Sequence, residues 1–168
     1  MNTYTVYTRL KNADLACLSA KTAIEQYLHY DKLADLQRYT KWMIQAETLD
    51  IRTLKSILDN SYYIANPNKE TASTDELPAH SKWTQYHAEV RSSNASSDDE
   101  IRRKINETFG TKIHSVSHST LWCLFVDQAH SDDLQSELET LVVNTSSQSQ
   151  GLLANPLYEE VAFSHYLA

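Results

Sequence analysis

Histidines at positions 114 and 118, with His130 further along, are the residues best suited to holding a metal, since two imidazoles four apart on one helix face can bind zinc. The run from Ile113 to Ser119 favours strand and turn over helix, however. On a strand the Cα atoms of His114 and His118 share a face but lie roughly 13 Å apart, too far for one ion. Surface histidines are therefore expected. Asp98-Asp-Glu100 and Asp132-Asp133 could serve as general acid and base, but both stand at predicted helix starts, where the macrodipole favours negative charge. Serine is abundant, yet no nucleophile elbow or comparable signature accompanies any serine. The chain has only two glycines, Gly110 and Gly151, so neither a phosphate loop nor a dinucleotide fingerprint can be built. No catalytic, cofactor-binding or metal-binding residue is assigned. Trp42 and Trp122 remain. They could stack on a base or sugar, but their shared place in two predicted strands favours a repeated core or interface anchor.

The elements that must position these residues follow from periodicity. Alternation over Tyr4, Val6 and Thr8 predicts a first strand. Asn12 is a plausible cap for a helix using Leu15, Leu18, Ile24 and Leu28 and ending near His29. Leu33–Leu36 and Lys41–Ala46 read as a strand pair with a turn around Arg38-Tyr39-Thr40. Asp50 starts a second helix on Ile51, Leu54, Ile57 and Leu58. Residues 68–82 are polar and without period, and read as a linker. The order then recurs: a strand over Trp83–Arg91, a loop over residues 92–97, and a helix on Ile101, Ile105 and Phe109 with Gly110 at its C-terminal cap. A strand pair over Ile113–Val116 and Leu121–Val126 comes next, then a helix on Leu134, Leu138 and Leu141. Residues 144–150 form an inserted loop, and Leu157–Phe163 a last strand.

Both halves share more than element order. At a constant shift of 80 residues, Lys32 meets Lys112, Thr40 meets Thr120 and Trp42 meets Trp122, while Leu33, Leu36 and Ile44 meet Ile113, Val116 and Leu124. Ala65-Asn66-Pro67 returns as Ala154-Asn155-Pro156, with Glu70 and Glu159 near by. An internal duplication is the reading these matches favour. The units are placed at 1–70 and 83–168, joined by a linker at 71–82. The expected fold is α+β, two tandem ferredoxin-like β-α-β-β-α-β units with antiparallel sheets.

Composition narrows the function classes. The 168 residues suffice for one ordinary domain or two small ones, and an apolar share of 41% is typical of a chain that folds. A formal net charge of −7 argues against nucleic acid. Cys17 and Cys123 sit in apolar surroundings far apart in sequence, as buried thiols rather than a disulfide framework, which suits a reducing cytosol. The amino terminus lacks a basic segment followed by an apolar run, and no stretch has the apolar length of a membrane span, so a cytoplasmic protein is expected.

The segment Gly151-Leu-Leu-Ala-Asn-Pro-Leu-Tyr-Glu-Glu160 resembles the closing signature of the small (PurS) subunit family of phosphoribosylformylglycinamidine synthase, and Ile64-Ala-Asn-Pro-Asn-Lys-Glu70 resembles it again. The chain departs from the family where a Lys-Pro-Gly stretch usually follows the first strand, and it is about twice the family's length. The resemblance implies a non-catalytic subunit of an ATP- and glutamine-dependent ligase complex, without a cofactor of its own. Its partners would be the glutaminase and synthetase subunits, bridged so that ammonia reaches formylglycinamide ribonucleotide in purine biosynthesis. It also implies that the tandem chain builds a two-fold pair within one molecule, with further self-association possible. Trp42, Trp122, Asn66, Pro67, Asn155 and Pro156 are the structural and interface candidates. Many tyrosines, among them Tyr62, Tyr63, Tyr158 and Tyr166, are of the type enriched at interfaces. A contrasting expectation is a regulatory protein with a small-molecule site between two ferredoxin-like halves. A histidine-dependent metal protein is a third.

Overall fold

The computed structural model describes residues 1–74, 77, 82–92, 96–143, 152–155 and 158–166. Along the chain the elements are β1 (Asn2–Leu10), α1 (Leu15–Gln26), β2 (Leu33–Ala46), α2 (Ile51–Asn60), β3 (Glu70–Ser73), β4 (Thr84–Ser92), α3 (Ser96–Phe109), β5 (Ile113–Val126), α4 (Asp132–Val142) and β6 (Glu159–His165). The fold is α+β, with one six-stranded antiparallel sheet in the order β3-β1-β2-β5-β4-β6. The expected inserted loop at 144–150 lies outside the described residues, as do Pro156 and Leu157.

Each expected strand pair is a single long strand. Arg38-Tyr39-Thr40 does not turn: it continues β2, and Ser117–Thr120 continues β5 in the same way. The physical reason is chemical. Neither junction contains Gly, Pro or Asn, the residues that make tight turns cheap, and Tyr39 is buried within the sheet. A second difference concerns the expected linker, where Glu70–Ser73 forms β3 and pairs with β1 from Leu10 opposite Glu70 to Tyr7 opposite Ser73. Three of its four residues are exposed, so it is held by ladder hydrogen bonds to which a polar sequence gives no clue.

Helix starts follow local chemistry. Asp14, rather than Asn12, caps α1, its Oδ1 accepting from the backbone N–H groups of Ala16 at 3.0 Å and Cys17 at 3.3 Å. Asp50 does the same for α2 with Arg52 and Thr53, and Ser131 for α4 with Leu134. Gly110 follows α3 with φ of +63°, a left-handed conformation that a side chain would strain.

The chain packs as two compact units, each drawn from three separate segments. The first comprises Met1–Asn12, Tyr39–Leu77 and Asn94–Ser119. Its core joins Val6 of β1 and Trp42, Ile44 and Ala46 of β2 with Leu54, Ile57 and Leu58 of α2, and with Ile105 of α3. The second comprises Ala13–Arg38, Pro78–Ser93 and Thr120–Ala168. There Cys17 and Ile24 of α1 pack among Tyr86, Ala88 and Val90 of β4, Trp122, Leu124 and Val126 of β5, and Leu134, Leu138 and Val142 of α4. Each core therefore takes its first helix from the opposite half of the sequence. The long strands make this possible, because β2 begins in the second unit and ends in the first, while β5 begins in the first and ends in the second.

The registers run in parallel. In the first unit Asn2 stands opposite Ala46 and Thr8 opposite Thr40, and in the second Thr84 stands opposite Val126 and Val90 opposite Thr120. The outer pairs agree as well: Leu10 meets Glu70, and Ser92 meets Glu159.

Candidate functional site

Two kinds of local constellation recur, once in each unit. The first begins with the tryptophans. Trp42 and Trp122 are each 7% exposed, which removes them as open stacking platforms. What touches them was not legible from periodicity. In the second unit the Arg38 guanidinium lies 5.7 Å from the centre of the Trp122 ring. Arg38 also grips Asp14 with two bonds, Nε to Oδ2 at 2.8 Å and Nη2 to Oδ1 at 3.0 Å, a fork geometry that fixes both side chains. Asp14 is the α1 cap, so one carboxylate joins helix start, cation and aromatic ring.

In the first unit the place of the arginine is taken by His118, which stands 80 residues on in the sequence. Its ring lies 4.9 Å from that of Trp42. Its Nδ1 is 2.6 Å from Asp98 Oδ1, and its backbone N–H donates to Asp98 Oδ2 at 3.2 Å. Asp98 is in the first turn of α3 and 7% exposed. Desolvation on this scale is tolerated because the carboxylate has both a ring and a backbone partner. The Trp42 Nε1 is buried without an acceptor among the described residues.

An imidazole oriented by a carboxylate is the arrangement that general bases use, but a base needs a proton to take. Among the described residues no hydroxyl or thiol hydrogen-bonds the His118 ring. His114 sits apart, with Nε2 3.5 Å from Glu47 Oε1 at the surface. His130 is elsewhere again: its Nδ1 lies 2.8 Å from the Tyr86 hydroxyl, and its ring stacks on His165 at 3.9 Å and 6°. Burial pushes the Tyr86 phenol up, and burial followed by the neighbouring His130 charge pulls His165 down. Among the described residues no cluster of three metal-ligating side chains forms.

The cysteines are inert by environment. The Cys17 thiol donates to the Leu36 carbonyl at 2.9 Å. Burial, then the Asp14 and Asp35 charges, push it up to about 11. Burial pushes Cys123 up to about 12.

The second recurring constellation is the closing turn. Asn66 follows the buried Ala65, and its backbone N–H donates to Glu70 Oε2 at 2.8 Å while its carbonyl accepts from the N–H groups of Lys69 at 2.9 Å and Glu70 at 2.7 Å. Asn155 follows the buried Ala154 and repeats every bond: to Glu159 Oε2 at 2.6 Å, and from Tyr158 at 3.0 Å and Glu159 at 2.8 Å. Pro67 adds an anchor, its carbonyl accepting from Lys11 Nζ at 2.6 Å, while Pro156 lies outside the described residues. The Glu is thus as much part of the motif as Ala-Asn-Pro. Its carboxylate closes the turn and its backbone begins the outer strand.

Sequence reasoning missed Asp14, Arg38, Asp98 and His118 as partners. A signal was present, since the shift of 80 residues places Arg38 on His118. Tyr62 and Tyr158 are exposed, at 59% and 67%. No helix among the described residues is long and apolar enough to cross a membrane. No protein-family model, curated protein or solved structure matches the chain.

Proposed function

We propose that the chain is a tandem duplication of a PurS-like unit acting as an assembly subunit of phosphoribosylformylglycinamidine synthase. In this reading it holds a glutaminase and an ATP-dependent synthetase together, and each long strand stands for the strand pair of a ferredoxin-like unit. The observation that carries the proposal is the closing turn. The same Ala-Asn-x-x-x-Glu backbone, with the same three hydrogen bonds, leads into an outer strand in each half. A duplicated unit accounts for this, and for the exchange of first helices between cores. The role is one of holding, because the recurring polar groups around the tryptophans bond to one another and to helix starts rather than to an open centre.

The test is reconstitution with the glutaminase and synthetase of the same organism. Adding the chain should restore glutamine-dependent turnover while leaving ammonia-dependent turnover unchanged, and the three proteins should co-elute with nucleotide and glutamine present. Failure to form any complex under those conditions would refute the assembly role.

A further inference from the structure

A cleft of about 670 Å³ opens in the first unit between α2 and β3, a size within the usual range of ligand sites. One wall is a stripe of α2, Ile51, Lys55, Leu58 and Asp59, whose spacing puts them on one helix face. The other wall is β3, all four residues of which line the cleft. Side chains alternate between the faces of a strand, so a cleft lined by consecutive residues looks onto the strand's edge. β3 is the terminal strand of the sheet.

Its register tells which backbone groups face out. The Lys11 N–H donates to the Lys69 carbonyl at 2.9 Å, which makes this a hydrogen-bonded pair and places Thr71 and Ser73 in the bonded positions toward β1. Ala72 therefore turns its N–H and C=O away from β1, and Glu70 turns its C=O the same way. Both residues line the cleft. Of the charged groups there, Lys11 is held by the Pro67 carbonyl and Glu70 by the Asn66 N–H. Lys55 and Asp59, one turn apart on α2, are both exposed and have no ion pair or hydrogen bond among the described residues.

We propose that this cleft binds an extended segment of a partner polypeptide, which adds as a strand to the edge of β3 and sets an acidic side chain against Lys55 and a basic one against Asp59. The occupant is a partner rather than a second copy of this chain. A second copy, whether joined through its β6 in an open-ended series or through its β3 about a two-fold axis, would bring together two chains that each carry a net charge of −7. The cleft takes such a strand whatever complex the chain joins, so the purine reading can fail without touching it.

The probe is a displayed library of random eight-residue peptides selected on the full chain. Selected peptides, resynthesised with blocked ends, are then titrated calorimetrically. Ala72→Pro removes the outward N–H at an edge position that tolerates proline, and should weaken binding about tenfold or more while leaving the melting temperature unchanged. Methylating the backbone nitrogens of the peptide should do the same with the protein untouched, which keeps the test sound if Ala72→Pro disturbs the fold. Lys55→Glu should weaken peptides with a central glutamate more than their glutamine counterparts. Failure to enrich any peptide, or unchanged affinity on N-methylation, overturns the proposal. So does a concentration-dependent dimer of the chain that Ala72→Pro dissociates, which would give the edge to a second copy.

Discussion

Replacing Ile24 with alanine should loosen strands from the far half of the chain. Ile24 is on α1 and fully buried, and its core neighbours include Tyr86, Ala88 and Val90 of β4 and Leu124 and Val126 of β5. An isoleucine-to-alanine change at such a site removes the transfer energy of the lost methylenes and leaves a cavity, about 3 kcal/mol in all within a range of about 2–5. At roughly 1.4 kcal/mol per decade, that makes openings of the second unit about a hundredfold more frequent. Native-state amide exchange reads this directly: the protected amides of β4 and of Leu124 and Val126 should exchange about a hundredfold faster, and those around Val6 and Ile44 should change far less. Ile105→Ala, on α3, should give the converse pattern, because Ile105 packs with Val6, Trp42 and Ile44. If Ile24→Ala speeds exchange in β1 and spares β4, α1 packs on its own half and the exchanged-helix account is refuted.

Glu70→Gln and Glu159→Gln each replace the charged acceptor of an Asn backbone N–H and should cost about 1–2 kcal/mol in urea unfolding, similarly in the two halves; a cost confined to one position would separate the two turns. Cys17 and Cys123, pushed up to about 11 and about 12, should resist a thiol reagent at pH 8 in the native protein and both react in urea, and fast native labelling of either would contradict its burial. His165 titrates below its ordinary value of 6.5 in the folded state, so the unfolded chain binds the proton first as pH falls. The His165 contribution to stability is therefore whole above pH 6.5 and lost on acidification below it, and His165→Phe should flatten the slope of melting temperature between pH 7.5 and pH 5.

Much of the local structure is legible in the sequence because it is written in short-range chemistry. Asp50 announces α2, Gly110 ends α3, and the alternation of Tyr4, Val6 and Thr8 marks β1. Periodicity also gives the first helix, but its cap is Asp14, two residues beyond Asn12. The continuity of β2 through Arg38-Tyr39-Thr40 was hidden because the apolar period there lapses. Arg38 and Thr40 are half-buried and Tyr39 is buried, between neighbours the local sequence does not name. β3 was hidden for a related reason, its pairing being made by backbone groups common to every residue. The tryptophan clusters were half visible. Both rings and the shift between them can be read off the chain, and Asp14 with Arg38, and Asp98 with His118, pair within one half, whereas Arg38 meets Trp122 and His118 meets Trp42 only across the two halves of the sequence.

That crossing has a consequence during synthesis. The residues that cover α1 begin with Leu33 and Leu36 but extend to Val126 and on to Val142, so its buried face is not fully covered until about a hundred further residues have been made. At typical elongation rates this is a delay of roughly 5–20 s, and longer if ribosomes pause. During that interval Cys17 and Ile24 are only partly covered, beside Leu15 and Leu18, which stay exposed even in the finished fold. A message truncated after the first half would therefore yield a polypeptide with two orphan apolar surfaces, a substrate for chaperones and proteases rather than a working half-protein.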